Sequence, residues 1–311
     1  MDNKMKNNLS LNVKAHGKVI LIGEHSVVYG KNALAMPIKA LNITTTVSPA
    51  LEESTMSTTH YHGPYLKSPS EYDGLKYVFK TLMSKAKDKS PIAVTYTGEI
   101  PMERGLGSSA VVAYGTTLAL NKYLKLQLSA DKIMKITNHA EMINHGKASG
   151  IDSATVKANS IVFFNKKDGP RELNGSLGAT LLIMDTGELG NTKEAVNLVK
   201  QQYDASAENK AKIEQLGILA DQTRTAWTEQ NPKKVGKIFR QAQEILASFG
   251  LSTKRIDQIS EIAQANGSLG TKLSGGGMGG IVISLCPDQK TAQEIAHLAQ
   301  PYFANYWIEE I

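Results

Sequence analysis

The sequence predicts an α+β protein built in two parts, and three observations carry that reading. The first half alternates short β-branched runs with turns, the second is mostly helical stretches bracketed by apolar strands, and 311 residues suit two buried cores better than one. The boundary falls near residue 175, dividing the chain into an N-terminal domain, 1–175, and a C-terminal domain, 176–311.

Taken in order, "LNVKAHGKVILIG" and "KALNITTTVSP" read as strands, and so does "PIAVTYTGEI", ending at Ile100. A helix follows from Ser108 to about Leu124, with apolar Val111, Val112 and Leu118. A second runs from Ser129 to about Asn144, with Ile133, Ile136, Ala140 and Ile143 at helical spacing. "NSIVFFNK" is the next strand. Beyond Gly178, "ATLLIMDTG" reads as a buried strand, and the Asn191 to Glu194 spacing in "NTKE" marks a helix N-terminus. Helices then dominate to about Gly250 and again from Thr253 to Asn266. "TKLSGGGMGGIVISL" returns to Gly-rich turn and strand, and the helix "QKTAQEIAHLAQPYF" and the strand "ANYWIEEI" close the chain. The stretch "STTHYHGPYLKSPSEYDG" is the most loop-like, and is read as functional rather than as a linker.

Composition narrows the function classes. The 41% hydrophobic, 21% charged and 6% aromatic residues are ordinary for a soluble globular protein. A formal charge of +6 is spread along the chain among Asp and Glu, which argues against a nucleic-acid surface and for small anionic ligands. Cys286 is the single cysteine, so an internal disulfide or thiolate metal site is excluded and a reducing compartment is expected. "MDNKMKNNLS" lacks the apolar core of a signal peptide and no window reaches the length of a membrane span, so the expectation is a cytoplasmic protein with no membrane partner.

Four stretches carry chemistry. In the first, a strand ends at Ile100, a loop carries Pro101, Met102, Glu103 and Arg104, and "GLGSSA" then opens a helix. Glycines let backbone approach a ligand, and the free N–H groups of a starting helix favour a phosphate. Gly105, Gly107 and the amides of Ser108, Ser109 and Ala110 would form that cradle, within a nucleotide-binding stretch that includes Leu106 and Val111. No G-x-x-x-x-G-K-[ST] loop occurs. "GLGSSA" does satisfy G-x-G-x-x-A, the fingerprint of a nicotinamide-dependent oxidoreductase, yet a loop separates it from the strand and no acidic residue ends a following strand. A plain Gly-rich helix entry stays open.

The second stretch, "GKVILIGEHSVVYG", places Lys18 at the start of an apolar run and Glu24 and His25 past its end. Lys18 could offer fixed positive charge to a phosphate or a reacting hydroxyl; an exposed edge lysine and a structural histidine are the plainer alternatives. The third, "AEMINHGKASGIDSATV", sets Glu141 on a helix and Asp152 beyond a turn at Gly146 and Gly150. One carboxylate could hold Mg²⁺, which needs only one or two protein oxygens, and the other could face an attacking hydroxyl. A solvated helix Glu and a capping Asp would look the same. The fourth, "SGGGMGG", implies close backbone approach by Gly275, Gly276 and Gly277, or a flexible hairpin turn.

In this order the four stretches resemble the superfamily of galactokinase, homoserine kinase, mevalonate kinase and phosphomevalonate kinase, the GHMP kinases, and most nearly its mevalonate kinase branch. The resemblance runs from residue 17 to residue 280. It implies a ribosomal protein S5 domain 2-like N-terminal domain and a ferredoxin-like C-terminal one, with the active site in the cleft between them. It also implies ATP as phosphoryl donor, Mg²⁺ as cofactor and mevalonate as acceptor at its C5 hydroxyl; phosphomevalonate or another small alcohol is the alternative acceptor. By matching position, Asp152 is the catalytic base, Lys18 stands beside the reacting hydroxyl, Ser108 and Glu141 hold the metal, and Ser109 completes the cradle. Glu24, His25 and Gly275 to Gly277 fall on the substrate side, and Tyr61 to Tyr72 is assigned to the adenine side. The chain departs from the usual pattern with His16 in "AHG" for "APG", "KASGID" for "NPSGID" and "GGGMGG" for "GAGGGG". These changes touch local geometry and remove none of the charged groups. A non-catalytic nucleotide-binding module would have no need of Lys18, Glu141 and Asp152. Oligomeric state is left open, a homodimer being one option.

Overall fold

The computed structural model describes residues 10–98, 100, 105–145 and 150–311. Pro101, Met102, Glu103 and Arg104 of the expected nucleotide stretch therefore lie outside the described residues, as do Gly146 and the "KAS" before Gly150. The strands are β1 (Leu11–Ile22), β2 (Ala33–Pro49), β3 (Thr55–Ser57), β4 (His62–Pro64), β5 (Ile92–Gly98), β6 (Val162–Asn165), β7 (Gly169–Glu172), β8 (Thr180–Asp185), β9 (Gly270–Ser274), β10 (Ile281–Cys286) and β11 (Asn305–Glu310). The helices are α1 (Asp73–Met83), α2 (Ser108–Tyr123), α3 (Ala130–His145), α4 (Ile151–Val156), α5 (Thr192–Ala205), α6 (Ala207–Thr228), α7 (Pro232–Ser248), α8 (Lys254–Ala265) and α9 (Gln289–Ala299). The α+β class is as expected.

Two compact units divide the chain. The first is drawn from the segments ending at Gly17, Leu41–Ile100 and Ser108–Lys157; the second from Lys18–Ala40, the stretch ending at Gly107, and Ala158–Ile311. β1 and β2 each run from one unit into the other.

In the first unit, β2 pairs antiparallel with β5 from Ile43 opposite Gly98 to Pro49 opposite Ile92, β5 pairs parallel with β3, and β3 closes a hairpin with β4. Helices α1 to α4 pack among themselves here. α1 buries Leu75, Val78, Phe79 and Leu82, a helical stripe. A buried polar chain ties sheet to helix: Tyr65 Oη lies 2.9 Å from Tyr96 Oη, which lies 2.8 Å from Thr116 Oγ1 of α2. Thr116 in turn donates to Val112 O at 2.6 Å. Burial pushes the Tyr96 hydroxyl up to about 12, so it stays protonated and bonded.

The expected loop at 57–74 is largely structured. It holds β4, the end of β3, two 3₁₀ turns at Tyr65–Lys67 and Ser70–Tyr72, and the start of α1. Its prolines and small polar residues read as breakers, but Thr58 Oγ1 accepts from His60 N at 3.1 Å and Tyr61 N at 2.9 Å, a side-chain turn that sets the hairpin.

In the second unit, the first residues of β2 pair with β6, and β6 with β7. A separate antiparallel sheet has the order β11-β8-β10-β9. In chain order that is 4-1-3-2 with helices after the first and third strands, the ferredoxin-like arrangement the resemblance implies. β8 and β10 are wholly buried, as central strands covered on both faces should be. α7 starts on an Asn231 cap with Pro232 behind it and buries Val235, Ile238, Phe239, Ala242 and Leu246. The Asn191 cap of α5 forms as the sequence indicates, accepting from Glu194 N at 3.1 Å. Among the described residues no helix is long and apolar enough to cross a membrane.

The polar chain through Tyr96 yields a test. Tyr96→Phe strands the buried Tyr65 hydroxyl and leaves Thr116 only its bond to Val112 O, so it should cost about 1–3 kcal/mol, read as a lowered urea midpoint at unchanged slope.

Candidate active site

Lys18 is nearly all buried, at 2% exposure, which removes the plain reading of an exposed edge lysine. Its backbone N–H donates to Leu106 O at 3.0 Å and its Nζ donates to Gly105 O at 2.9 Å. The ammonium is thus pinned beneath the loop that feeds α2. Gly107 has φ +73°, and a Cβ there would lie 3.0 Å from Lys18 Cγ, so a side chain would be both strained and crowded. The second glycine stretch adjoins this loop: a Cβ on Gly275 would stand 3.7 Å from Gly105 Cα.

At the head of α2, Ser108, Ala110 and Val111 are buried and Ser109 is partly open. Ser109, rather than Ser108, meets the acidic helix: its Oγ donates to Glu141 Oε1 at 2.6 Å, and Glu141 is itself 5% exposed. Asn144 Nδ2 donates to Ser109 Oγ at 3.1 Å. Among the described residues no group of three or more His, Cys, Asp or Glu gathers around a metal-sized space. A hydroxyl and a carboxylate at this separation are hard oxygen donors, the kind of partial set that suits Mg²⁺, an ion that keeps most of its waters. Asp152 stands in the first turn of α4, behind Gly150 at φ +86°.

Glu24 and His25 sit where β1 ends, and both are buried. Lys272 Nζ on β9 donates to Glu24 Oε1 and to Leu273 O, and neither charged side chain is exposed. Burial raises the Glu24 pKa and lowers that of Lys272, against the pull of each charge on the other. His25, at φ +59°, places Nε2 2.8 Å from Gly276 O. A carbonyl only accepts, so Nε2 carries the proton and Nδ1 presents a lone pair. Burial lowers the His25 pKa, favouring that neutral ring. Glu24 Oε2 and His25 Nδ1 are buried with no hydrogen-bond partner among the described residues, two adjacent acceptors suited to the O–H of an alcohol.

The glycine stretch is held from several sides. Ser274 Oγ accepts from Ile20 N at 3.1 Å and donates to Ile20 O at 2.9 Å. Met278, the departure in "GGGMGG", takes φ +60° and donates its N–H to Leu251 O at 2.7 Å. Lys272 and Asn144 escaped sequence reasoning. Lys272 reads as an ordinary alternating strand residue, and only its place two residues before "SGGG" could have flagged it; Asn144 reads as a polar residue in a helix's last turn.

A fully buried ion pair makes a sharp prediction. Lys272→Met leaves Glu24 without its counter-charge and should cost about 3–5 kcal/mol, whereas Lys272→Met combined with Glu24→Gln should recover most of that loss; chemical denaturation of both variants checks it.

The chain matches the family model "GHMP kinases N terminal domain" over residues 74–158 and "GHMP kinases C terminal" over 223–302. It is 30% identical to the mevalonate kinase of Pyrococcus furiosus over 302 residues, covering 89% of each chain. Its fold is similar to the crystal structure of Methanococcus jannaschii mevalonate kinase, with TM-score 0.85, 24% identity and coverage of 98% of this chain and 99% of the other. It is also similar to L. major mevalonate kinase in complex with R-mevalonate, with TM-score 0.83, 20% identity and coverage of 100% and 99%. With both halves of the family present and a full-length relative at that identity, the chain belongs to the GHMP kinase family.

Proposed function

We propose that this chain transfers the γ-phosphoryl group of ATP to the C5 hydroxyl of mevalonate, giving 5-phosphomevalonate and ADP. The observation that carries the reading is Lys18, a buried ammonium fixed under the glycine loop at the start of α2. The relatives named mevalonate kinase, one solved in complex with R-mevalonate, support the choice of acceptor.

In this reading the amides of Gly105 to Ala110 receive the phosphates at the helix start. Glu141, with a hydroxyl of the Ser108 and Ser109 pair, would hold Mg²⁺, which when bound would supply positive charge against the phosphate oxygens. Ser109 is the hydroxyl in contact with Glu141, so it is the stronger candidate. Asp152 accepts the proton of the attacking hydroxyl as the new O–P bond forms and the bond from the γ-phosphorus to the β,γ-bridging oxygen breaks, the electron pair leaving with ADP. Lys18 stabilises the developing alkoxide and phosphoryl charge. Glu24 and His25 receive hydroxyls of the acceptor, and the glycines from Gly275 to Gly277 shape its other side. Two acceptors, the free oxygen of a carboxylate already balanced by Lys272 and a neutral imidazole nitrogen, favour an alcohol over a substrate end carrying a second phosphate, which would call for added Arg or Lys. We place the enzyme in the cytoplasm, the single cysteine, Cys286, being buried and reduced.

A coupled ADP-release assay over mevalonate, phosphomevalonate, homoserine and galactose tests the proposal: mevalonate should stimulate turnover most, and no stimulation by it overturns the reading. Asp152→Asn should lower kcat about 10²–10⁴-fold while leaving ATP affinity near that of the parent, measured by steady-state kinetics and calorimetry. Ser109→Ala should raise the Mg²⁺ concentration needed for half-maximal rate more than Ser108→Ala does.

A further inference from the structure

We infer that Asn144 is a positioning residue, one that orients the Ser109 hydroxyl toward Glu141 through a hydrogen-bond chain of fixed direction. The inference rests on the reading of Glu141 and Ser109 as the metal side of the site.

The chain begins at a group whose polarity cannot change. Gly74 N–H, in the first turn of α1, donates to Asn144 Oδ1 at 3.1 Å. A backbone N–H only donates, so the amide oxygen of Asn144 must face α1 and its NH₂ must face the other way. There Nδ2 donates to Ser109 Oγ at 3.1 Å. Ser109 Oγ, having accepted, sends its own proton to Glu141 Oε1 at 2.6 Å. Each link fixes the next, and the serine proton cannot turn outward without forfeiting a charge-assisted bond.

Packing holds the first link in place. A Cβ on residue 74 would come within 2.7 Å of Ala140 O and 2.8 Å of Asn144 Oδ1, so only glycine lets α1 start this close to α3. Glu141 and Asn144 are three residues apart on α3 and share a face, and Ser109 bridges them from α2. Three helices therefore meet in one chain of hydrogen bonds. With its proton committed to Glu141 and one lone pair to Asn144, Ser109 has its second lone pair left for a cation, and Glu141 keeps a single carboxylate orientation. A side chain that merely capped α1 would need only the first link.

A double-mutant cycle separates the two roles. ADP affinity is measured by calorimetry with Mg²⁺ and with EDTA, and the ratio gives the metal-dependent part of binding in the parent, Asn144→Ala, Ser109→Ala and the double variant. Asn144→Ala should lower that ratio about tenfold, the size usual for a residue that orients a metal ligand. In the Ser109→Ala background it should lower it no further. Additive effects, or an unchanged ratio in Asn144→Ala, overturn the inference. Melting of the ligand-free variants reports the α1 anchor separately. Should Asn144→Ala fail to fold, Asn144→Asp keeps an acceptor for Gly74 N–H, and the same cycle must again show coupling to Ser109. Glu141→Gln tells the two readings apart: if it leaves the ratio unchanged, the metal assignment fails and the inference with it; if it collapses the ratio while Asn144 and Ser109 act additively, only the inference fails.

Discussion

A carboxylate and an ammonium share a water-free interior at Glu24 and Lys272, and much of the second unit's site depends on keeping them together. Ionising either group alone there would be costly, so each requires the other at bonding distance. That requirement joins the end of β1 to β9, and with it the turn bearing His25 to the stretch bearing Gly276. Ser274, bonding twice to the backbone of Ile20, fastens the same two strands one step further along. The pair costs desolvation and gives a defined position: with Oε1 committed to Lys272, Glu24 has one oxygen, Oε2, with a set direction.

Lys18 follows the same logic by different means. Its ammonium donates to the carbonyl of Gly105 and its backbone N–H to that of Leu106, so loop and lysine are a single unit in structural terms. In the first unit, Ser109 and Glu141 are fixed instead by hydrogen bonds that join three helices.

Much of this could be read from residue order. The apolar runs of β8 and β10, the Asn191 cap and the helix opening at "GLGSSA" are local signals, and local signals survive folding. Buried Lys18, Glu24 and His25 were legible as odd polar residues at the ends of an apolar run. What could not be read was pairing across long separations: Lys272 meets a residue 248 positions earlier. That Ser109 rather than Ser108 contacts Glu141 depends on the rotation of α2 about its axis, which spacing does not report. The region from Thr58 to Asp73 misled because its turns are closed by side chains, Thr58 above all, in a composition that otherwise describes loops.

The interleaving of the two units bears on how such a chain can change. Because the first unit takes the start of β1 and the end of β2 while the second takes the end of β1 and the start of β2, no single cut releases either one whole, and no simple exchange of halves transplants one onto another protein. Loss or gain of one residue in the middle of β2 would turn every later side chain of that strand to the opposite face. The damage would fall on the partners of β5 while the pairing with β6 stayed intact. Insertions should therefore accumulate in the connections, and β1 and β2 should keep their lengths even where their residues drift.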